Sequence, residues 1–337
     1  MADLRTKHMG IELKNPIVVG ACNLVTDPGN LKRMEDAGAA AIVYKSLFEE
    51  QIQLENLELS EHLEEYTERN AEMLTLFPDI EHAGPEEYLM NLRKAKESVS
   101  IPLIASLNAV ELESWVEYAK KIEQTGVDGL ELNFYSVPTD PEIPGRDIIN
   151  DQIDVVKEIK ENIGIPLAVK LSPFYTNPLH VIHEMDEEGV DGFVLFNRLF
   201  QPDIDIDAEE HFFPYNLSNP YDNRLGLRFA GMLSGNTKAS ICSNTGIFTG
   251  EDVITMLLAG ADCVQVVSAL YKYHIEQITQ MLGDMEKWME GKNYKKIDDF
   301  RGKLSKKNSG DPFAYRRAQY VDILLKSAEI FKKYPTV

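Results

Sequence analysis

EGVDGFVLFN, residues 188–197, is a helix end and a strand start run together. The glycine relieves the left-handed backbone in which helices commonly stop, and the apolar run behind it has the length of a strand buried on both faces. The phrase recurs as DAGAAAIVYKS at 36–46, TGVDGLELNF at 125–134 and AGADCVQVVS at 259–268. Each copy follows apolar residues at helical spacing, such as Trp115, Ala119 and Ile122 ahead of Gly126. Four further buried-strand runs lie between the copies: NPIVVGA at 15–21, IPLIASL at 101–107, IPLAVKL at 165–171 and ASICSN at 239–244. Merged in order, strands start near 16, 40, 102, 129, 166, 192, 239 and 263, with helix-like segments between them.

Eight strands alternating with amphipathic helices fit a closed (β/α)8 TIM barrel better than an open doubly wound sheet, which carries a GxGxxG turn after its first strand. Here that place reads GACNLVTDPGN, residues 20–30. We therefore expect a single α/β barrel domain over 1–337, with long inserts at the C-terminal face near 48–86 and 200–236 and a C-terminal helical extension over 275–337. Long inserts behind strand C-termini form lids or binding loops, and that face is where barrels do chemistry.

Composition narrows the partners. The chain is 44% hydrophobic and 26% charged, an ordinary globular balance, and its net charge of −21 argues against nucleic acid, which demands a positive footprint. Much of the acidic excess lies between Glu49 and Glu87 and reads as a solvated face. Cys22, Cys242 and Cys263 have no CxxC spacing and read as reduced thiols. The N-terminus has no apolar segment, and no run approaches the roughly 18 apolar residues of a membrane span, so a cytoplasmic location is expected. The seven histidines are scattered, so no metal cluster is expected, and neither a P-loop nor a G-x-S-x-G elbow occurs.

The expected strand ends present Ala21, Cys22 and Asn23, then Lys45 and Ser46, Asn108, Asn133, Lys170 and Ser172, Asn197 with Arg198, Ser243 to Gly246, and Ser268. A buried lysine must be paired or desolvated at a cost. Lys45 and Lys170 therefore face either electron-rich ligand atoms or an internal partner, for which Glu131 stands ready. Asparagine offers donors and an acceptor without charge, which suits a heterocycle with carbonyl and N–H edges. Barrel phosphate sites are built from the loops after strands seven and eight. Thr245 and Gly246 stand after the seventh strand, and Val267 and Ser268 after the eighth, while Thr249 to Asp252 read as a helix start.

Taken in order, LKNPIVVGACN, YKSLF, ELNFYSVP, PLAVKLSPF, FNR, SNTGIFTGEDV, VVSALYK and the tail KNYKKIDDFRGKL resemble the dihydroorotate dehydrogenases, specifically the soluble class 1 form. The resemblance implies FMN across the barrel mouth, with Ala21, Cys22, Lys45, Ser46, Asn133 and Lys170 near its ring or ribityl chain. It implies Gly226, Thr245, Gly246, Val267 and Ser268 about the phosphate, and substrate contacts at Asn70, Asn133, Asn197 and Arg198. The implied reaction oxidises (S)-dihydroorotate to orotate in pyrimidine biosynthesis, with a loop base removing the C5 proton while C6 delivers hydride to the flavin. Lys45 and Ser136 are the implied catalytic residues, and a homodimer and an electron-transfer partner are implied as well.

Several positions depart from the family. Where class 1 relatives carry a cysteine base, three residues beyond the asparagine, this chain has Ser136, as in the membrane-associated class. The N-S-x-G-L-x-N loop is echoed only by NAEMLTLF from Asn70, Arg198 replaces a serine, and Val267 replaces a glycine. A flavoprotein acting on another cyclic or carboxylated substrate, and a non-catalytic flavin-binding barrel, stay open as alternatives.

Overall fold

We describe a computed structural model of the protein over residues 2–53, 84–135, 137–215, 217–311 and 313–326. Eight parallel strands form a closed barrel. They are β1 (Ile17–Val19), β2 (Ala41–Phe48), β3 (Leu103–Asn108), β4 (Gly129–Asn133), β5 (Leu167–Leu171), β6 (Gly192–Leu195), β7 (Ser240–Ser243) and β8 (Cys263–Val266). Every strand starts within one residue of its expected position, and pairing of Val264 with Ile17 closes the ring. Seven helices follow the first seven strands in turn: α1 (Pro28–Asp36), α2 (Pro85–Ser98), α3 (Leu112–Glu123), α4 (Gly145–Asn162), α5 (Pro178–Glu187), α6 (Arg224–Leu233) and α7 (Gly250–Ala259). Behind β8 come α8 (Ser268–Tyr273), α9 (Gln277–Lys292) and α10 (Arg317–Leu325).

The recurring phrase sets strand register as well as ending helices. Gly38, Gly126, Gly189 and Gly260 have φ of 106°, 83°, 87° and 123°, the positive region that side chains avoid. Two residues further on, Asp128, Asp191 and Asp262 each reach back to the preceding strand. Their carboxylates accept N–H bonds from Leu103, Leu167 and Ile241 at 2.7, 2.8 and 2.8 Å. Their own N–H groups donate to the carbonyls of the same three residues. A cation flanks each carboxylate: Lys96 at 2.5 Å, Lys160 at 2.8 Å and Arg301 at 2.8 Å. In the first copy Ala40 holds the aspartate's place, and Asn15 supplies the grip through the Ile17 N–H and the Gly38 carbonyl. These clasps tie β1 to β2, β3 to β4, β5 to β6 and β7 to β8.

Fixed register decides which side chains face inward, since a slip of one residue would turn each strand's whole set outward. Val18, Val43, Ile104, Ala168, Val194, Cys242 and Cys263 fill the lower interior. An N-terminal hairpin, Thr6–His8 paired with Ile11–Leu13, closes the floor with Met9 and Leu13. Gly129 and Gly192 make room for it, because a Cβ on either would come within 2.9 Å of Met9. Outside, the helices lay apolar stripes on the barrel, as with Trp115, Tyr118, Ala119 and Ile122 of α3.

Two departures from regularity sit at the mouth. The pairing of β2 with β3 runs Val43 to Ile104 and then Ser46 to Ser106, so β2 carries an extra residue at Tyr44–Lys45. Such a bulge re-aims the side chains around it. The second departure is the segment between β6 and α6, which throws out an exposed hairpin, Asp203–Asp205 with Glu210–Phe212, before returning to the barrel. Most of the insert expected near 48–86 lies outside the described residues. Among the described residues no helix is long and apolar enough to cross a membrane.

The clasp makes a stability prediction. Asp191→Ala strands the Leu167 N–H at the strand start and should cost about 2 kcal/mol in urea unfolding. Asp191→Asn keeps an oxygen acceptor there and should cost less than half as much. Equal costs would show that the ion pair with Lys160, not the hydrogen bond, holds the strand.

Candidate active site at the barrel mouth

At the C-terminal ends of the strands lies a cavity of about 500 Å³. Its wall includes Ala21, Cys22, Lys45, Ser46, Asn133, Lys170, Asn197, Arg198, Thr245, Gly246, Val267 and Ser268. The fold thus gathers twelve sequence-predicted residues in one place. Gly226 stands apart from this wall: it is buried in α6, where a Cβ would come within 3.1 Å of the Leu195 carbonyl. Asn70 and Ser136 lie outside the described residues.

The two lysines have different surroundings. Lys170 is nearly buried, with Nζ 3.8 Å from Oε1 of the buried Glu131. The other carboxylate oxygen of Glu131 accepts a 2.5 Å bond from Gln265 Nε2. At 3.8 Å the lysine and carboxylate attract without a short hydrogen bond, and Glu131 Oε1 has no hydrogen-bond partner. Gln265 Oε1 and Asn133 Oδ1 are likewise buried and unpartnered. Lys45 makes no hydrogen bond or ion pair among the described residues. The inner wall therefore combines two cationic donors with two unspent amide acceptors, the donor set that a heterocycle with carbonyl and N–H edges requires.

The other asparagines are more committed. Asn108 Nδ2 donates to the carbonyls of Asn133 and Tyr135, and Asn197 Nδ2 to those of Phe134 and Lys170. They brace the strand ends, and Asn197 keeps only its oxygen for a ligand. Arg198 is bound by Asp222 at 2.7 Å and reaches the Leu217 carbonyl. Burial pushes the Cys22 thiol up from its ordinary value, which disfavours a thiolate nucleophile.

The loops expected to hold phosphate are strained and partly unsatisfied. Thr245 and Gly246 have φ of 65° and 73°, and a β-branched residue there stores of order 1–3 kcal/mol of strain. The N–H groups of Thr245, Ile247 and Ser268 make no hydrogen bond among the described residues. The start of α7 is different, since Asp252 and Thr249 form a capping box and Asp252 also takes the Phe248 N–H. That helix end is already sealed by its own side chains.

Sequence reading missed the outer wall. Phe200 and Tyr215 stack at 5.5 Å, and Tyr215 meets Tyr271 edge-on. Both come from the insert after β6, where no periodicity fixes the direction of a side chain. Gln265 was hidden inside an apolar strand run, and its signal was polarity at an inward position of β8. At the opposite end of the barrel, the fold brings His8, Cys242 and Cys263 within 4.8 Å of one another, although the scattered histidines suggested no such group. Burial lowers the His8 imidazole to about 4 and raises the Cys263 thiol, so these two pack as neutral groups.

The contrast between the lysines is testable by urea unfolding. Lys170→Gln leaves Glu131 buried without its counter-charge and should cost about 3 kcal/mol or more. Lys45→Gln should cost less than about 1 kcal/mol, as befits a residue with no internal partner. Equal costs would contradict this division.

A sequence-family model described as dihydroorotate dehydrogenase matches residues 3–289. The dihydroorotate dehydrogenase B (NAD(+)) catalytic subunit of Thermoplasma acidophilum is 28% identical over 321 residues, covering 90% of this chain and 99% of that protein. The protein of the same description from Methanocaldococcus jannaschii is 29% identical over 283 residues, 80% of this chain and 87% of its own. A dihydroorotate dehydrogenase A (fumarate) from Lactobacillus helveticus is 29% identical over 178 residues, 51% of this chain and 58% of its own.

Proposed function

This chain belongs to the dihydroorotate dehydrogenase family, and from that premise we propose that it oxidises (S)-dihydroorotate to orotate with FMN bound at the barrel mouth. The observation that carries the reading is the inner wall, where Lys45, Lys170, Asn133 and Gln265 offer unspent donors and acceptors at the ends of four strands. These residues fit the pyrimidine edge of a flavin, and the unpaired N–H groups of Thr245, Ile247 and Ser268 fit its phosphate. When bound, FMN supplies the two-electron acceptor that takes hydride at N5.

The chain's own part is to bind, orient and remove a proton. Lys170, held beside the Glu131–Gln265 pair, would present its ammonium group to the electron-rich edge of a bound ring. Asn133 and the oxygen of Asn197 orient the substrate, while Phe200 and Tyr215 limit the water that reaches it. A carbon acid does not lose its proton unaided, so a base is required. Ser136, three residues beyond Asn133, is our candidate for taking the C5 proton on its Oγ. Because the relatives similar over most of the chain are named catalytic subunits of an NAD(+)-type enzyme, we propose that a second subunit carries the electrons onward.

One observation favours a second reading, another cyclic carboxylated substrate on the same flavin. Arg198, where relatives have serine, brings a guanidinium to a wall that is otherwise aromatic on its outer side.

Anaerobic mixing of FMN-loaded protein with dihydroorotate separates the two. Bleaching of the flavin absorbance is expected, slowed about 100-fold or more in Ser136→Ala. A flavin that stays oxidised with dihydroorotate but bleaches with another cyclic carboxylate would select the second reading.

A further inference from the structure

At the floor of the barrel, opposite the mouth, three metal-ligating side chains meet from three elements. His8 ends the first strand of the N-terminal hairpin, while Cys242 in β7 and Cys263 in β8 are register partners on neighbouring strands. All three are at most 1% exposed, and one imidazole nitrogen and the two sulfurs lie within 4.8 Å of one another. An ion with bonds of about 2.0 to 2.3 Å holds its ligands about 3.4 to 4 Å apart, so the trio has to draw in by no more than about 1.5 Å to share one.

The hydrogen bonds around His8 select its ligating atom. Ser240 Oγ accepts the Met9 N–H at 2.9 Å and donates its proton to the Asp191 carbonyl at 3.1 Å. The hydroxyl then has a lone pair left for His8 Nδ1 at 2.9 Å, so the ring nitrogen is the donor in that bond. Nε2 carries the lone pair, in a tautomer and orientation fixed by the kind of outer hydrogen bond that metal-bound histidines make. Gly192 opens the space, since a Cβ there would come within 2.8 Å of His8 Cε1. The hairpin is also tied down by Thr6, whose Oγ1 donates to the Asp262 carbonyl at 2.8 Å.

We propose that His8, Cys242 and Cys263 form a seat for one divalent, thiolate-preferring cation of the zinc type, which bridges the N-terminal hairpin to β7 and β8. Two cysteines and a histidine are a zinc ligand set that leaves a fourth position open. Binding breaks two S–H bonds, forms two metal–sulfur bonds and one metal–nitrogen bond, and releases two protons to solvent, with nothing oxidised or reduced. Charge selects a divalent ion. Two thiolates and a neutral imidazole cancel it, so the buried seat is uncharged with the ion bound and, as thiols, without it. A monovalent ion on two thiolates would instead leave a net negative charge among Val18, Val43 and Val194 of the apolar floor. Among the described residues the hairpin strands pair only with each other, so the hairpin can lift to admit the ion without opening the barrel ring.

The test uses the full chain, kept reduced and stripped with a chelator, then titrated with zinc and, as a spectroscopic probe, with cobalt(II). One zinc per chain is expected, with two protons released per zinc near neutral pH and the intense thiolate-to-cobalt absorption of a site with two sulfurs. Cys22→Ser should keep all three signals, because Cys22 lies at the mouth. Ser240→Ala, which removes the outer partner of His8, should weaken zinc about 10-fold, and Cys263→Ser and His8→Gln, which remove ligands, about 100-fold or more. Wild-type protein that retains no zinc, zinc held at full affinity by Cys263→Ser, or cobalt absorption that disappears in Cys22→Ser would overturn the proposal. Should the ligand variants fail to fold, the proton count of the wild type and the cobalt absorption of Cys22→Ser decide.

Discussion

The aspartate clasp between neighbouring strands is the interaction on which the rest depends. In a closed parallel barrel every strand has two partners, so an error in one register would propagate around the ring. Asp128, Asp191 and Asp262, with Asn15 in the fourth place, fix alternate pairs by holding backbone N–H groups near the strand starts. The bonds lie at the bottom of the barrel, and their consequence appears at the top. Glu131, Lys170 and Gln265 face inward on three different strands because their registers are set below them. This is the usual division of labour in such barrels, with stability at one end and chemistry at the other.

At the mouth, an incompletely satisfied charge group has chemical value. A buried lysine and glutamate in close contact would neutralise each other, and burying both would then gain little. Here the carboxylate is shared between a short bond to Gln265 and a longer approach to Lys170, which leaves Glu131 Oε1 and Gln265 Oε1 buried without a hydrogen-bond partner. Buried polar atoms without partners are uncommon in folded proteins, and two of them, Asn133 Oδ1 and Gln265 Oε1, belong to residues that line the cavity. The strained Thr245–Gly246 turn lies in the wall of the same cavity, where the Gly246 N–H donates to Ser218 Oγ.

Much of this was legible in the sequence because barrel strands are marked at both ends. The glycine-aspartate phrase located strand starts within a residue, and polar residues after apolar runs located the mouth, so that Lys45, Asn133, Lys170 and Thr245 were found by position alone. Direction was harder to read. The bulge at Tyr44–Lys45 leaves no compositional mark, and the amides of Asn108 and Asn197 are spent on carbonyls that only the folded chain brings near. Gly226 fits a cofactor contact in sequence, yet its missing side chain serves packing against β6. The insert after β6 was expected as a lid or binding loop by its length, while the positions of Ser218 and Tyr215 depend on contacts with Ser268 and Tyr271, about fifty residues or more along the chain, which no local pattern encodes.

The central claim is that the inner wall of the mouth is the seat of a flavin ring, with Lys170 and Asn133 completed by it. A crystal structure of the protein with FMN tests this most directly. The account predicts one FMN per chain, its ring edge within hydrogen-bond distance of Lys170 Nζ and of the Asn133 side chain. A ring bound elsewhere on the barrel, or bound with both side chains left unengaged, would contradict it.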